Sequence, residues 1–232
     1  DDIEELTGSV MAFLWDGKAY SNCTQPLSLT LPDPSSDLPF NTLPSAGGSE
    51  IMLSDDDFAT VFLPASVPYY GVSFGQMYVG SNGFISFLRG SWSYSGSIVE
   101  ALSQFQVSGF STDLSPNMGG TVEVREILGD EVIGDLGEGV AVTWRDVPNY
   151  GENPPPGSDE RNTFQIFVSY SGHVGFAYAK LSLDTLATVG IGHPNYSSSV
   201  ETTLAQSPPC NADVVCGLRR VRWTLWLDPT DE

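Results

Sequence analysis

Apolar and polar residues alternate along much of the central part of the chain. The alternation is clearest in four stretches: TVEVREIL (121–128), GVAVTWRDV (139–147), TFQIFVSY (163–170) and HVGFAYAK (173–180). In the second of these, Val140, Val142 and Trp144 fall on one face of an extended chain. Successive side chains of a strand point to opposite faces, so a sheet with one buried face produces this alternation. The pattern therefore predicts antiparallel strands.

Turn-forming dipeptides separate the apolar stretches. Asp16-Gly17 lies between SVMAFLW and KAYSN and predicts an N-terminal hairpin with a type I′ turn, which requires positive φ. Asn82-Gly83 predicts a second tight turn with positive φ, and Ser171-Gly172 predicts a two-residue hairpin loop. Turns at this frequency favour many short strands over long helices.

Two stretches depart from the strand pattern. SIVEALSQF (97–105) spaces its apolar residues as a short helix does. Residues 25–50 are rich in proline, which removes backbone donors and fixes φ, so we expect an extended arm there. The prediction is an all-β chain, an antiparallel β-sandwich-like domain with an N-terminal hairpin, a Pro-rich extended arm and at most one or two short helices. We divide it into the hairpin and arm (1–50) and a β-rich domain (51–232).

The charge of the chain is strongly negative, with 29 acidic and 9 basic residues and a net charge of −20. Such a field repels phosphates and anionic lipids, which disfavours nucleic-acid binding. No stretch approaches the ~18 consecutive apolar residues of a membrane helix, so we expect no membrane insertion. Three of the basic residues, Arg219, Arg220 and Arg222, lie in the alternating stretch LRRVRWTLWL (218–227) and offer opposite charge to an acidic neighbour.

The sequence has features of a secreted protein. It begins at Asp1 without an initiating Met, so we expect that a signal peptide has been removed. The sequons at Asn22 and Asn195 predict N-glycosylation. Extracellular localisation also agrees with the acidic, lysine-poor composition.

The three cysteines allow two arrangements. Cys210 and Cys216 bracket a short loop that a disulfide could close, which leaves Cys23 free or paired with another chain. Alternatively, Cys23 pairs with one of the other two and ties the N-terminal region to them. The sequence leaves both arrangements open.

A short motif raises the question of hydrolase activity. Gly71, Ser73 and Gly75 match the G-x-S-x-G signature, in which a helix must follow the nucleophile. Here the chain continues as QMYVGSNGFISF, which predicts strand, turn and strand instead. His173 and His193 allow the order of a triad, but the missing helix makes the match accidental. We therefore predict that the chain is not an enzyme.

Acidic residues at predicted loops suggest a cation site. Asp55, Asp57 and Asp113 are the candidate ligands, because carboxylates at strand ends can converge on a hard cation such as calcium. The spacing lacks the EF-hand pattern, and acidic residues also cap turns and solvate loops. The sequence predicts no required cofactor, and calcium is the only bound ion that it suggests. Aromatic residues offer a second binding class, glycans, although Trp and Tyr at alternating positions more often pack in a core or on a sheet face.

Several stretches, taken in order, resemble one known family. They are FLPASVPYYG (62–71), MYVGSNGFISF (77–87), FSTDLSPNMGGTVEV (110–124), GVAVTWRDVPNY (139–150), NTFQIFVSYSGHVGFAY (162–178) and TVGIG (188–192). This order resembles the nidogen-like (NIDO-type) extracellular domain, over roughly residues 55–193. The first fifty residues and the basic C-terminal stretch have no counterpart in the family.

The resemblance implies a non-enzymatic module of the extracellular matrix, a surface coat or an appendage. Together with the residue pattern, it predicts a secreted, glycosylated structural or adhesive protein, a class that includes subunits of extracellular filaments, appendages and surface coats. The expected partners are other copies of the chain or other extracellular matrix and surface proteins. The alternative is an extracellular module that binds calcium or glycans.

Overall fold

The computed structural model describes residues 7, 9–26, 48–96, 98–128, 136–182 and 187–194. These residues form twelve strands, one α-helix and a short 3₁₀ helix at Pro116–Met118. The strands are β1 (Ser9–Trp15), β2 (Tyr20–Pro26), β3 (Ser49–Ile51), β4 (Phe58–Tyr69), β5 (Val72–Gly80), β6 (Phe84–Ser86), β7 (Gln106–Ser111), β8 (Thr121–Ile127), β9 (Gly139–Pro148), β10 (Arg161–Ser169), β11 (Val174–Lys180) and β12 (Thr188–Ile191), and the helix is α1 (Ile98–Ser103).

The strands form two antiparallel sheets. The larger sheet has seven strands in the order β2-β1-β11-β10-β9-β8-β3, and the smaller has five in the order β12-β7-β6-β5-β4. The predicted all-β, sandwich-like fold is confirmed, and the single α-helix of the described residues falls within the predicted stretch 97–105.

Large aromatic side chains fill the space between the sheets. Trp144 of β9 stacks on Phe164 of β10, with ring centroids 5.0 Å apart, and both are fully buried. The Trp144 Nε1–H reaches across to the smaller sheet and donates to the Ser81 carbonyl (3.1 Å). The sheets approach closely at Gly109 of β7, where a Cβ would lie 2.6 Å from Ile166. A buried indole needs such an acceptor, so the core also fixes how the two sheets align.

The central strands of the larger sheet, β9, β10 and β11, are mostly buried on both faces, which the alternating pattern did not predict. Val140 and Val142 face the core between the sheets, whereas Ala141 packs with Phe167 in a second apolar cluster. All nine residues of β10 are buried. Gln165 lies on the second face, and its side-chain amide donates to Thr143 Oγ1 (2.7 Å). Polar residues at alternate positions therefore do not indicate a solvent-exposed face in this sheet.

The N-terminal hairpin belongs to the larger sheet, because β1 pairs with β11. The Tyr20 hydroxyl donates to the Gly172 carbonyl (2.7 Å), which ties the hairpin to the β10–β11 loop. The proposed division of the chain at residue 50 stays a prediction, since residues 27–47 lie outside the described part.

Two predicted turns are longer in the structure. Trp15 pairs with Tyr20, so the first hairpin loop has four residues rather than two. Asp16 Oδ1 accepts hydrogen bonds from the Lys18 and Ala19 amides (2.7 Å each), and the side chain thereby closes the wider loop. In the β10–β11 loop, the backbone bond from Ser169 N to the His173 carbonyl (2.8 Å) leaves three residues between them.

Candidate cation site beside the Asn82 turn

The G-x-S-x-G motif lies on a hairpin. Ser73 is an exposed residue of β5, where it pairs with Pro68 of β4, and β5 continues to Gly80 without an intervening helix. His173 Nδ1 accepts a hydrogen bond from the Trp15 amide (3.0 Å), so this ring nitrogen is bound to the N-terminal hairpin. The predicted strand, turn and strand are confirmed, and the elbow that a nucleophilic serine needs is not formed at Ser73.

The Asn82-Gly83 turn joins β5 to β6, as predicted. Gly83 has φ of +77°, and a Cβ at this position would lie 2.1 Å from the Phe110 carbonyl oxygen. Only glycine combines this backbone conformation with so close an approach. The turn is therefore pressed against β7 at the end of the smaller sheet.

Asn82 connects three segments of the chain at this turn. Its side chain is only 1% exposed and makes hydrogen bonds with both ends of its amide. Nδ2 donates to Asp56 Oδ1 (2.8 Å) and to the Ser93 carbonyl (3.0 Å), while Oδ1 accepts from the Leu114 amide (2.8 Å). The segments before β4 and after β7 are thus held at fixed positions beside the turn.

Three carboxylates meet at this junction, and we call Asp55, Asp56 and Asp113 the acidic cluster. Each is half-buried, and each offers one oxygen within 4.8 Å of those of the other two. The Ser115 hydroxyl donates to Asp55 Oδ1 (2.9 Å). No ion pair within the described ranges involves these carboxylates. The arrangement resembles a set of hard oxygen ligands that converge on one point.

The carboxylates of the acidic cluster interact unfavourably. Burial raises the pKa of Asp113, and the negative charges of Asp56 and Asp55 raise it further. Protonation or a bound cation would each relieve this repulsion, because both reduce the negative charge at the junction.

The structure brings together two of the three predicted ligands and adds one. Asp57 points elsewhere: its Oδ2 accepts from the Ser54 amide (3.1 Å), and its own amide donates to Ser81 Oγ (3.0 Å). Asp56, which was not among the predicted ligands, joins Asp55 and Asp113 from a position with φ of +49°. Asp55 and Asp56 occupy the turn before β4, and Asp57 closes that turn. Calcium binding itself stays a prediction.

The other predicted sites fall mostly outside the described residues. Asn22 and Cys23 lie in β2, where their backbones pair with Phe13 and Ala12. Asn195, Cys210 and Cys216 are not described, so glycosylation and both disulfide arrangements stay predictions.

Exposed aromatic side chains lie on the outer face of the smaller sheet. Trp92 is 68% exposed and packs edge-on against Phe58, with centroids 5.2 Å apart. The Phe58 ring also contacts that of Tyr78, with centroids 5.9 Å apart. Phe62, four residues after Phe58 in β4, is 78% exposed. We call Phe58, Phe62, Tyr78 and Trp92 the outer aromatic patch.

Fold and site define a β-sandwich module with an acidic junction at one end and an aromatic patch on one face. The family model described as NIDO-related matches residues 34–215, more than three quarters of the sequence. The chain therefore belongs to the NIDO-related (nidogen-related) family, which the resemblance over residues 55–193 indicated. The match begins at residue 34, so the expectation that the first fifty residues have no counterpart in the family is wrong for residues 34–50. No curated protein and no solved structure gives a significant match.

The family indicates the general class of module. NIDO-related domains are typical of extracellular matrix proteins and are a structural, extracellular class of module. In the part of the chain that the structure describes, no helix is long and apolar enough to cross a bilayer.

Proposed function

We propose that this chain is a secreted, glycosylated structural or adhesive protein that serves as a subunit of an extracellular filament, appendage or surface coat. The observation that carries the proposal is the family match over residues 34–215. Modules of this type act by contact with neighbours, so the partners are other copies of the chain or other matrix and surface proteins.

The surface of the described residues supports a role in contacts. The outer aromatic patch presents large apolar side chains on a chain whose net charge is −20. Aromatic residues are enriched at protein interfaces, where they provide much of the binding energy. A large net negative charge opposes non-specific self-association, so specific contacts are expected at apolar patches or where opposite charges meet.

Multi-angle light scattering across a concentration series tests the assembly. We expect the purified protein to form species larger than the monomer, with a mass that increases with concentration. A stable monomer at the highest concentration would refute assembly of this chain with itself.

Mass spectrometry of protein from a secreting eukaryotic host tests the glycosylation. We expect glycans on Asn22 and Asn195, which Asn22→Gln and Asn195→Gln should remove one at a time. Secretion without glycans at either position would contradict the proposal for these sites.

Calcium binding by the acidic cluster is a second candidate function. The observation that favours it is the convergence of Asp55, Asp56 and Asp113 without a cationic partner in the described residues. Isothermal titration with calcium should give binding that Asp56→Asn abolishes and Asp159→Asn leaves unchanged, since Asp159 is an exposed loop residue away from the cluster. Titration of the wild type without heat, at several temperatures, would refute this candidate.

The outer aromatic patch gives the corresponding test for glycans. Exposed aromatic rings stack on sugar rings, and the Gln76 side chain donates to the Tyr78 hydroxyl (2.6 Å) within the patch. A glycan array probed with wild type and with Trp92→Ala should show signals that the variant loses. An array without signals leaves the structural role as the function of this face.

A further inference from the structure

In the part of the chain that the structure describes, the first half of β4 is an uncharged edge of the smaller sheet, whereas its second half carries Pro64, Pro68 and a shift in register between Phe62 and Val67. β4 is the last strand of the five in the described structure, and it begins with FATVFL, six residues without charge or proline. Edge strands of natural proteins usually carry charges, prolines or bulges in their exposed part, because a bare edge pairs with other strands. On a chain with 29 acidic residues, an uncharged edge of this length indicates a surface for strand addition.

The first half of β4 directs some of its backbone hydrogen-bonding groups outward along this edge. The Ser81 amide donates to the Asp57 carbonyl (2.8 Å), so residues 57 and 81 form a hydrogen-bonded pair of the β4–β5 ladder. Because bonded and non-bonded pairs alternate in an antiparallel ladder, the amides and carbonyls of Thr60 and Phe62 point away from β5, whereas the Phe58 amide donates to Asp57 Oδ1 (2.8 Å). These groups are arranged to receive another strand.

The core-facing side chains of β4 are incompletely covered at this edge. Ala59, Val61 and Leu63 are only partly buried, although they pack against the core between the sheets. On the other face, Thr60 is exposed and Phe62 belongs to the outer aromatic patch. An added strand with apolar residues at alternate positions would therefore bury the margin of the core.

Residues 218–227 of this sequence, LRRVRWTLWL, have the complementary pattern. They carry a third of the basic residues of the chain, followed by alternating apolar residues. β4 likewise follows an acidic run, DDDFATVFL (55–63). The family model ends at residue 215, so this stretch lies beyond the part that the family describes.

A parallel alignment matches both parts of the two stretches. It sets Arg219 and Arg220 beside Asp55 and Asp56, and it sets three apolar residues beside the open core margin: Trp223 beside Ala59, Leu225 beside Val61 and Leu227 beside Leu63. An antiparallel alignment would place the arginines at the uncharged end of the edge. The arginines thus supply the positive charge that the acidic cluster lacks among the described residues.

We propose that residues 218–227 of a second copy of this chain bind the edge of β4 as a parallel sixth strand, with their arginines at the acidic cluster. This inference rests on the proposed assembly and names its interface. Each copy would donate one segment and accept another, and such a head-to-tail contact generates rings or open filaments.

Two variants of the full chain disable one half of the contact each. Thr60→Pro removes an outward amide without a loss in the β4–β5 ladder, because proline is tolerated where its missing N–H faces solvent. Trp223→Asp combined with Leu225→Asp removes the apolar residues of the donor. Thr60→Val and Thr224→Val are the matched controls. Phe62→Lys provides a second edge variant if Thr60→Pro lowers the unfolding temperature.

Sedimentation velocity then tests the proposal with these proteins. Each disabling variant should weaken association about tenfold or more, because Thr60→Pro removes a backbone donor from the edge and the donor variant places charges where apolar side chains would be buried, while the controls associate as the wild type does. An equimolar mixture of the edge variant and the donor variant should form a one-to-one dimer, because each retains the half that the other lacks.

Three results would overturn the inference, and they differ from one another. If the wild type associates and all variants associate equally, assembly stands but this interface is wrong. If the wild type is a monomer at every concentration, the proposed assembly fails as well. If the mixture gives no dimer while Thr60→Cys with Thr224→Cys yields a disulfide within one chain, the segment binds its own domain.

Discussion

Asp146 and the acidic cluster differ in whether cationic side chains lie beside their carboxylates. Asp146 of β9 accepts hydrogen bonds from the Gly157 amide with both oxygens (3.0 Å each) and lies 3.6 Å from Arg161 and 3.4 Å from Lys180. The acidic cluster has three carboxylates and no such cation among the described residues. The chain has only nine basic residues, and two of them form ion pairs with Asp146.

The difference separates a structural carboxylate from an uncompensated group. Arg161 is 3% exposed and also donates to the Pro154 and Asp146 carbonyls, so Asp146 helps to hold the loop after β9 in place. In the acidic cluster, by contrast, burial raises the pKa of Asp113, and the negative charges of Asp56 and Asp55 raise it further. Loss of charge should therefore have opposite effects on stability in the two regions.

The largest expected effect concerns the glycines of the two regions. Gly83 (φ +77°) follows Asn82 in the turn beside the acidic cluster, and Gly151 (φ +76°) lies in the loop after β9, where a Cβ would meet nothing within 4 Å. Gly83→Ala should lower the free energy of unfolding by ~4 kcal/mol or more, because it adds a steric clash to the backbone strain. Gly151→Ala should cost only ~1 kcal/mol. Urea denaturation of both variants measures the difference, and equal costs would contradict the close approach of Gly83 to Phe110.

The next effect distinguishes the carboxylates themselves. Asp146→Asn should destabilise the protein by ~2–3 kcal/mol, because it leaves the buried Arg161 without its counter-charge. Asp113→Asn should instead stabilise it slightly, by less than ~1 kcal/mol, since it relieves repulsion in a half-exposed cluster. Asn tolerates positive φ, so the backbone at Asp146 (φ +54°) is not strained by the change. Two changes of the same sign in urea denaturation would refute the comparison.

A cation should stabilise one region and not the other. Calcium is expected to raise the unfolding temperature of the wild type and of Asp159→Asn by a few degrees. A calcium concentration about fivefold above the dissociation constant should raise the free energy of unfolding by ~1 kcal/mol. It should leave that of Asp56→Asn unchanged. Differential scanning calorimetry with calcium and then with a chelator measures both. An equal shift in all three proteins would indicate binding outside the acidic cluster.

The smallest effect is a dependence on pH. The pKa of Asp113 is raised from its ordinary value of 3.8, so the native state holds this proton more tightly than the unfolded state. The contribution of Asp113 to stability therefore falls as pH rises through the window above 3.8, and the cost is fully present above its native pKa. Asp113→Asn should gain stability relative to the wild type across that window and show no relative gain below it. A flat difference between pH 3.5 and 6 would contradict the raised pKa.

Local patterns in the sequence predicted the elements well. The alternation of Val140, Val142 and Trp144 identified the residues that face the core, and Asn82-Gly83 identified a turn whose glycine no other residue could replace. Both are properties of a few neighbouring residues, which the sequence displays directly. The family could also be inferred, because the order of several short stretches is hard to obtain by chance.

Features that depend on distant contacts were not predictable. The pairing of β1 with β11 joins residues more than 160 positions apart, and the burial of Gln165 depends on what covers the second face of its sheet. Within the acidic cluster, three consecutive aspartates look alike in sequence. A hydrogen bond from Asn82 selects Asp56, and the Ser54 amide turns Asp57 away. The side-chain direction in such a turn is set by partners that lie elsewhere along the chain.

The two lysines have a practical consequence for work on surfaces. Lys18 is exposed at the tip of the first hairpin, whereas the Lys180 ammonium is held by the Ser158 carbonyl (2.6 Å) and Asp146. Amine-reactive coupling should therefore immobilise the molecule mainly through Lys18 when its side chains react. That tip follows Trp15, whose ring contacts Tyr70 just past the end of β4. The start of β4, beside the acidic cluster, lies about 26 Å away by strand rise along the paired strand β5. A sensor chip prepared in this way would present the acidic cluster and the first half of β4 to the solution in one uniform orientation.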